Sequence, residues 1–163
     1  MNGILKKKFE VNFMYKKIVT VVDVFGEPNG VLAEVITMSQ RENSELHLLI
    51  NKPEIEALEQ LNYLPYDSGM YMPYEYDMIK ENDENYQKDV DKVISKVKAE
   101  GVDKLVTTIY SGSTKSFINK YIEKNSMDLI VLGSYDELLS KRELESVAKH
   151  VIKNTTSNLL ILR

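Results

Sequence analysis

The sequence contains no cysteine, and this absence excludes several kinds of site. Among its 163 residues there is no thiol to form a disulfide, to bind zinc or an iron–sulfur cluster, or to act as a nucleophile. Histidine is also scarce, since His47 and His150 are the only two. Two imidazoles offer little material for a histidine-rich metal site, so we interpret both as packed or surface side chains and predict no metal site.

The chain also lacks an excess of positive charge and long apolar runs. It has 21 lysines and arginines against 25 aspartates and glutamates, a net charge of −4. Non-specific binding to nucleic acid depends on clustered basic residues, so nucleic acid is not an expected partner. No run reaches the roughly 18 apolar residues of a membrane span, and no apolar stretch follows the basic residues 6–8. We expect a cytoplasmic protein with no membrane partner.

Five apolar runs alternate with segments of helical character, which predicts a single α/β domain. The predicted strands are residues 17–23, 46–50, 104–110, 129–132 and 159–162. The predicted helices are centred on residues 31–36, 53–60, 86–97, 117–122 and 144–152, and Gly101 is expected to end the third. Right-handed crossovers then give one open, mostly parallel five-stranded sheet with helices on both faces.

Two segments do not fit this alternation. Residues 1–14 are interpreted as an N-terminal extension of the domain, which covers residues 15–163. Residues 62–79 form a Tyr-rich insertion, and its part from 62 to 76 holds five of the ten tyrosines without any lysine or arginine. It is either a loop that covers the sheet edge or a surface for contact with an unknown protein partner.

The carboxyl ends of the strands are where ligands bind in open α/β sheets. The sequence from Ser111 to Thr114 has the small and hydroxyl-bearing residues that can present backbone N–H groups to an anion before a helix. The same residues also suit a turn with a helix N-cap. Neither a Walker A sequence nor a G-x-G-x-x-G sequence is present.

Several of these segments, in order, resemble the universal stress protein family. The similar segments are residues 15–23, 44–50, 128–134, 145–151 and 158–163. The resemblance covers roughly residues 15–52 and 100–163. It implies the doubly wound fold of the adenine-nucleotide α-hydrolase type, usually as a dimer, in a family whose members either bind ATP or do not.

The glycine motif of the ATP-binding members is degenerate in this chain. By the resemblance, Gly133 matches the first glycine and Ser146 the hydroxyl residue, but Asp136 and Glu145 stand where the other two glycines belong, Glu145 one residue early. A carboxylate about 4 Å from a phosphate costs about 4 kcal/mol at an effective dielectric constant near 20. Magnesium could bridge the two groups, but we expect the phosphate half of the site to be lost.

The resemblance also suggests which residues would line a nucleotide site. They are Val22, Asp23, Asn51, Gly133, Ser134, Ser146 and Val147. Asp23 would face the ribose or the adenine, with Val22 and Asn51 beside it, although a turn or capping role suits Asp23 nearly as well. We find no catalytic constellation in the sequence and predict no enzyme activity.

Two hypotheses for function follow. The first is a dimeric regulatory protein of stress response that has no cofactor, does not bind ATP in the usual way of the family, and acts through protein contacts. Its homodimer would form through the last strand, residues 158–162. The alternative is a nucleotide-binding switch that takes ATP or AMP, with magnesium, without strong hydrolase activity.

Overall fold

The computed structural model describes residues 14–23, 30–52, 73–133 and 139–162. Its elements alternate along the chain as predicted. They are β1 (Lys17–Asp23), α1 (Gly30–Glu42), β2 (Glu45–Lys52), α2 (Pro73–Ala99), β3 (Leu105–Ser111), α3 (Thr114–Lys124), β4 (Leu129–Gly133), α4 (Lys141–Asn154) and β5 (Asn158–Leu162). The predicted helix at 53–60, most of the N-terminal extension and residues 62–72 lie outside the described residues.

The five strands form one sheet in the order β3-β2-β1-β4-β5. Each neighbouring pair is parallel, so the predicted fold class is confirmed and the described sheet is parallel throughout. The central strands are nearly continuous apolar runs because helices cover both faces of a parallel sheet. The strand order reverses between β1 and β4, which is the point where ligands bind in folds of this type.

The ladder at this reversal is short. β1 pairs with β2 along its whole length, from Lys17 to Asp23. Its ladder with β4 comprises three pairs and ends where Thr20 lies beside Val131. The carboxyl-terminal half of β1 therefore has a ladder on the β2 side alone.

Alternation along the strands divides the core between the two faces of the sheet. Ile18 and Val22 of β1 belong to the cluster that packs beneath α1 and α2. Val19 and Val21 belong to the cluster beneath α3 and α4. Neighbouring residues of one strand thus support different helical layers.

One end of α2 differs from the sequence prediction and the other agrees with it. The second helix begins at Pro73, so the end of the predicted insertion, residues 73–79, is helical. Proline suits this position because its missing N–H would have no partner in the first turn of a helix. At the other end, Gly101 has a φ of +87°, which confirms it as the residue that ends the helix.

One predicted core residue is on the surface. Ile152 fits the apolar spacing of the last helix, yet it is 76% exposed. Val151, its neighbour, is buried. The helix has its buried side along Leu144, Val147 and Val151, and Ile152 lies beyond the edge of that side.

Candidate functional site

Three of the predicted nucleotide-site residues lie at the carboxyl edge of the sheet. Asp23 ends β1 and is paired with Asn51 of β2. Gly133 ends β4 on the other side of β1 and is buried. Ser134, the next residue, lies outside the described part of the chain. The fold therefore brings Asp23, Asn51 and Gly133 to the strand-order reversal.

The two predicted valines lie on opposite faces of the sheet. Val22 is 8% exposed and packs in the core beneath α1 and α2. Val147 of α4 is fully buried in the core on the other face. Each supports its own helical layer, and the sheet stands between them.

Ser146 lies in the second turn of α4, not at its first N–H groups. It shares a side of the helix with Glu143 and His150, because residues three and four apart are neighbours on a helix. His150 Nε2 is 3.0 Å from Glu123 Oε1 of α3, so this side faces α3. Glu145 is exposed on the same helix. Asp136 falls in the gap between described residues.

The N-terminus of α4 is closed by the chain's own side chains. Ser140 is the N-cap, and its hydroxyl accepts a hydrogen bond from the backbone N–H of Glu143 at 3.3 Å. In return, Glu143 Oε2 accepts from the backbone N–H of Ser140 at 2.9 Å and from its hydroxyl at 2.7 Å. These hydrogen bonds, the backbone one first, hold the pKa of Glu143 below its usual range. A negative charge thus occupies the positive end of this helix.

The Ser111–Thr114 segment has a structural role. Gly112 has a φ of +86°, and the hydroxyl of Ser113 caps α3 by accepting from the backbone N–H of Ser116 at 3.3 Å. The hydroxyl of Tyr110 donates to Thr114 Oγ1 at 3.0 Å. Of the two interpretations of this segment, the turn with an N-cap is confirmed.

On the opposite face, Tyr86 of α2 reaches the same edge of the sheet. Its hydroxyl donates to the backbone carbonyl of Asn51 at 3.1 Å. Lys52 Nζ lies 5.6 Å from the centre of the Tyr86 ring. These two residues, with Glu84, Gln87 and Ile109, line a groove of about 260 Å³. The carbonyl of Asn51 therefore already has a hydrogen-bond partner.

A buried hydrogen-bonded group that sequence reasoning missed surrounds His47. The imidazole is 5% exposed, with Nε2 2.7 Å from Glu45 Oε1 and Nδ1 2.7 Å from the hydroxyl of Tyr121. An ionised carboxylate only accepts, so Nε2–H donates to Glu45. In the neutral imidazole Nδ1 is then the acceptor, and the hydroxyl of Tyr121 donates to it. The hydrogen bond from His47 is the main cause that lowers the pKa of Glu45.

Part of this group was visible in the sequence. Residues two apart in a strand share a face, so the Glu-x-His spacing of Glu45 and His47 indicated contact. Tyr121 is 74 residues away from His47 and only the α3 crossover brings it there. The interpretation of His47 as a packed imidazole is confirmed.

The described residues provide no group of three or more histidines, aspartates or glutamates that could hold a metal ion. Within the same ranges, no helix is long and apolar enough to cross a membrane.

The fold and this edge define a class of protein: a doubly wound α/β domain with its candidate site at the strand-order reversal. The model of the universal stress protein family matches residues 14–163. The chain belongs to the universal stress protein family. No curated protein matches it in a sequence search.

Solved structures share the fold at low sequence identity. The chain is similar to the universal stress protein UspA from Lactobacillus plantarum, with 20% identity, a TM-score of 0.59, and coverage of 93% of this chain and 100% of that one. A family protein from Burkholderia pseudomallei has 13% identity, a TM-score of 0.58, and coverage of 91% and 96%. A universal stress protein solved in complex with cAMP has 16% identity, a TM-score of 0.54, and coverage of 92% and 98%.

Proposed function

We propose that this protein is a dimeric regulatory protein of stress response that acts through protein contacts and does not bind ATP in the usual way of its family. The observation that carries the proposal is the carboxylate of Glu143 at the N-terminus of α4, where it accepts two hydrogen bonds from Ser140. A helix N-terminus binds phosphate through free N–H groups and its positive dipole. Here the chain supplies both the hydrogen-bond acceptor and the negative charge.

The positions of the motif residues support the same proposal. Glu145 stands at a motif glycine and is exposed, and Ser146 lies a turn too far along α4 to offer its hydroxyl at the helix start. A triphosphate close to Glu143 would meet like-charge repulsion of about 4 kcal/mol at 4 Å and an effective dielectric constant near 20. The favourable interaction of an anion with a helix end is worth about 0.3–1 kcal/mol. Repulsion therefore outweighs the helix dipole.

The dimer is proposed to form through β5, residues 158–162. This strand is at the edge of the sheet, and its Ile161 is 36% exposed. Ile152 lies on the side of α4 opposite His150, which meets α3, so it projects toward the same edge. Antiparallel pairing of two β5 strands about a two-fold axis would cover both isoleucines.

Isothermal titration of the purified protein with ATP and magnesium tests the nucleotide half of this proposal. We expect no heat of binding at micromolar nucleotide, and micromolar affinity would overturn it. Sedimentation at micromolar protein tests the dimer, with Ile161→Lys expected to shift the population to monomer. A wild-type protein that sediments as a monomer would contradict the role of β5.

A nucleotide-binding switch is the second candidate, and one observation favours it. Asp23, Asn51 and Gly133 lie at the carboxyl ends of three neighbouring strands, and a relative of the same fold was solved with cAMP. AMP, cAMP and ATP with magnesium would then raise the melting temperature at millimolar concentration, because a ligand that binds the folded state stabilises it. This candidate is dropped if none of the three raises it.

A further inference from the structure

The helical layer formed by α3 and α4 is basic, although the whole chain is acidic. These two helices carry seven lysines and arginines against three glutamates. The complete chain has 21 against 25. Positive charge is therefore concentrated on one face of the sheet.

Five of these cations form what we call the basic face. They are Lys120 and Lys124 of α3, and Arg142, Lys149 and Lys153 of α4. All five are exposed. Each is placed on the outer side of its helix, away from the buried residues that contact the sheet. Within the described residues none of them forms an ion pair or a side-chain hydrogen bond.

Two of the three carboxylates of the same helices contact other groups. Glu123 lies 3.0 Å from His150 in the seam between α3 and α4. Glu143 accepts hydrogen bonds from Ser140 at the start of α4. Glu145 alone of the three has no such contact among the described residues. Glu145 lies three residues after Arg142 and four before Lys149, so it offsets one of the five positive charges. The basic face therefore keeps a net positive charge.

We propose that the basic face is the docking surface for an acidic protein segment, a short stretch that presents several aspartates or glutamates. This inference rests on the proposal that the protein acts through protein contacts, and it names the chemistry of the partner. The complement of exposed, unpaired cations is a set of discrete carboxylates, which steer association and fix its orientation.

Other polyanions fit this face less well. Proteins that bind single-stranded nucleic acid add exposed aromatic side chains for base stacking, whereas Phe117 and Tyr121 of α3 are half-buried against Tyr110 and His47. Helices that lie on membranes need an extended apolar side next to the basic one, whereas the described helices α3 and α4 expose a single large apolar side chain, Ile152. The net charge of −4 also repels a long polyanion, which would extend past the basic face. A short acidic segment interacts mainly with charges within a Debye length of about 8 Å, because salt screens the more distant ones.

The test is the binding of a fluorescein-labelled peptide of six glutamates and four serines, followed by anisotropy at 50 mM salt. The variant Lys149→Glu/Lys153→Glu reverses two charges one helical turn apart. Lys92→Glu/Lys96→Glu on α2 is the matched control, with the same spacing and the same change in net charge. We expect the α4 variant to bind about tenfold more weakly and the α2 variant less than about twofold more weakly.

Each other outcome overturns the inference. If the two variants lose peptide affinity equally, the net charge of the protein, and not the basic face, governs binding. Absence of peptide binding by the wild-type protein removes the docking surface, while the separate ATP titration still decides the proposed function. A 20-base-pair DNA duplex or a phosphatidylserine vesicle that binds where the peptide does not, and loses binding in the α4 variant, assigns the face to phosphates instead.

A milder variant guards against misfolding of the charge reversals. Lys120→Gln/Lys124→Gln removes two charges from α3 at exposed positions and is expected to weaken the peptide about threefold to fivefold. Its melting temperature should match that of the wild-type protein. If it folds normally and binds the peptide as tightly as wild type, α3 is not part of the docking surface and the proposed face is wrong.

Discussion

The two helical layers of this protein are held to the sheet by different means. Beneath α1 and α2, the contact is mainly a cluster of aliphatic side chains in which Ile18, Val35, Leu46, Leu48 and Ile50 are fully buried. The hydroxyl of Tyr86 adds one hydrogen bond, to a backbone carbonyl of β2. Beneath α3 and α4 the apolar cluster is accompanied by polar contacts between elements. These are His47 with Tyr121, Tyr110 with Thr114, and His150 with Glu123.

This difference predicts how each layer responds to substitution. Truncation of a buried apolar side chain lowers the free energy of unfolding in proportion to the volume removed, because the resulting cavity collapses only in part. Removal of one partner of a buried polar contact lowers the free energy of unfolding, because the other partner stays buried without a hydrogen bond. The first layer should therefore be sensitive to truncation, and the second to loss of a single polar atom.

Truncation in the aliphatic layer should give the largest effect. Leu48 lies in the interior strand β2 and is fully buried. Leu48→Ala is expected to lower the free energy of unfolding by about 2–5 kcal/mol. Urea denaturation measures this change. Met14→Ala, at a position 72% exposed, is the control and should change stability by less than about 0.5 kcal/mol.

Removal of one hydroxyl from the polar layer should cause the second-largest loss of unfolding free energy. Tyr121→Phe keeps the ring and leaves Nδ1 of the buried His47 without its donor, so we expect a loss of about 1–3 kcal/mol. A double-mutant cycle with His47→Leu isolates the pair. If Tyr121→Phe costs as much in the His47→Leu background as alone, the two side chains are not coupled and the distinction between the layers fails.

Loss of the N-cap of α4 should lower the free energy of unfolding by a smaller amount. Ser140→Ala removes the hydroxyl that accepts from the backbone N–H of Glu143, and N-cap substitutions of this kind cost about 1 kcal/mol. Ser116→Ala, at an exposed position in the first turn of α3, gives the baseline for removing a serine hydroxyl. Equal unfolding free energies for the two variants would show that the capping box does not stabilise the helix.

The fold could be predicted from the sequence because its signals are local. The β-branched run Lys17–Asp23 and the apolar spacing along α1 do not depend on distant residues. Gly101 ended its helix as expected, since a φ of +87° favours glycine. The prediction that Ile152 belongs to the core was wrong because periodicity identifies an apolar stripe but not where the edge of that stripe becomes exposed to solvent. The start of α2 at Pro73 was not predicted because the tyrosines around this residue suggested a loop.

The candidate site was only partly predictable. Asp23, Asn51 and Gly133 were placed at the carboxyl edge because parallel strands end on one side. The capping box of Ser140 and Glu143 has a sequence signature, serine followed three residues later by glutamate, but the prediction of the site did not use it. The contact of Tyr121 with His47 depends on the path of a crossover helix, which no local pattern determines.

The smallest effect concerns pH and the exposed end of the His47 group. The pKa of Glu45 is lowered from 4.5, so the stability it contributes is present above pH 4.5 and is lost as the pH falls through its lower value in the folded protein. Glu45→Gln removes this dependence and should flatten the acid side of the stability curve. Because the side chain is 37% exposed, solvent screening limits the difference to a few tenths of a kcal/mol. Urea unfolding at pH values from 7 to about 3 measures it, with Glu34→Gln on the exposed side of α1 as the control. Stability curves that fall equally in all three proteins would show that the contact of Glu45 with His47 contributes no pH-dependent stability.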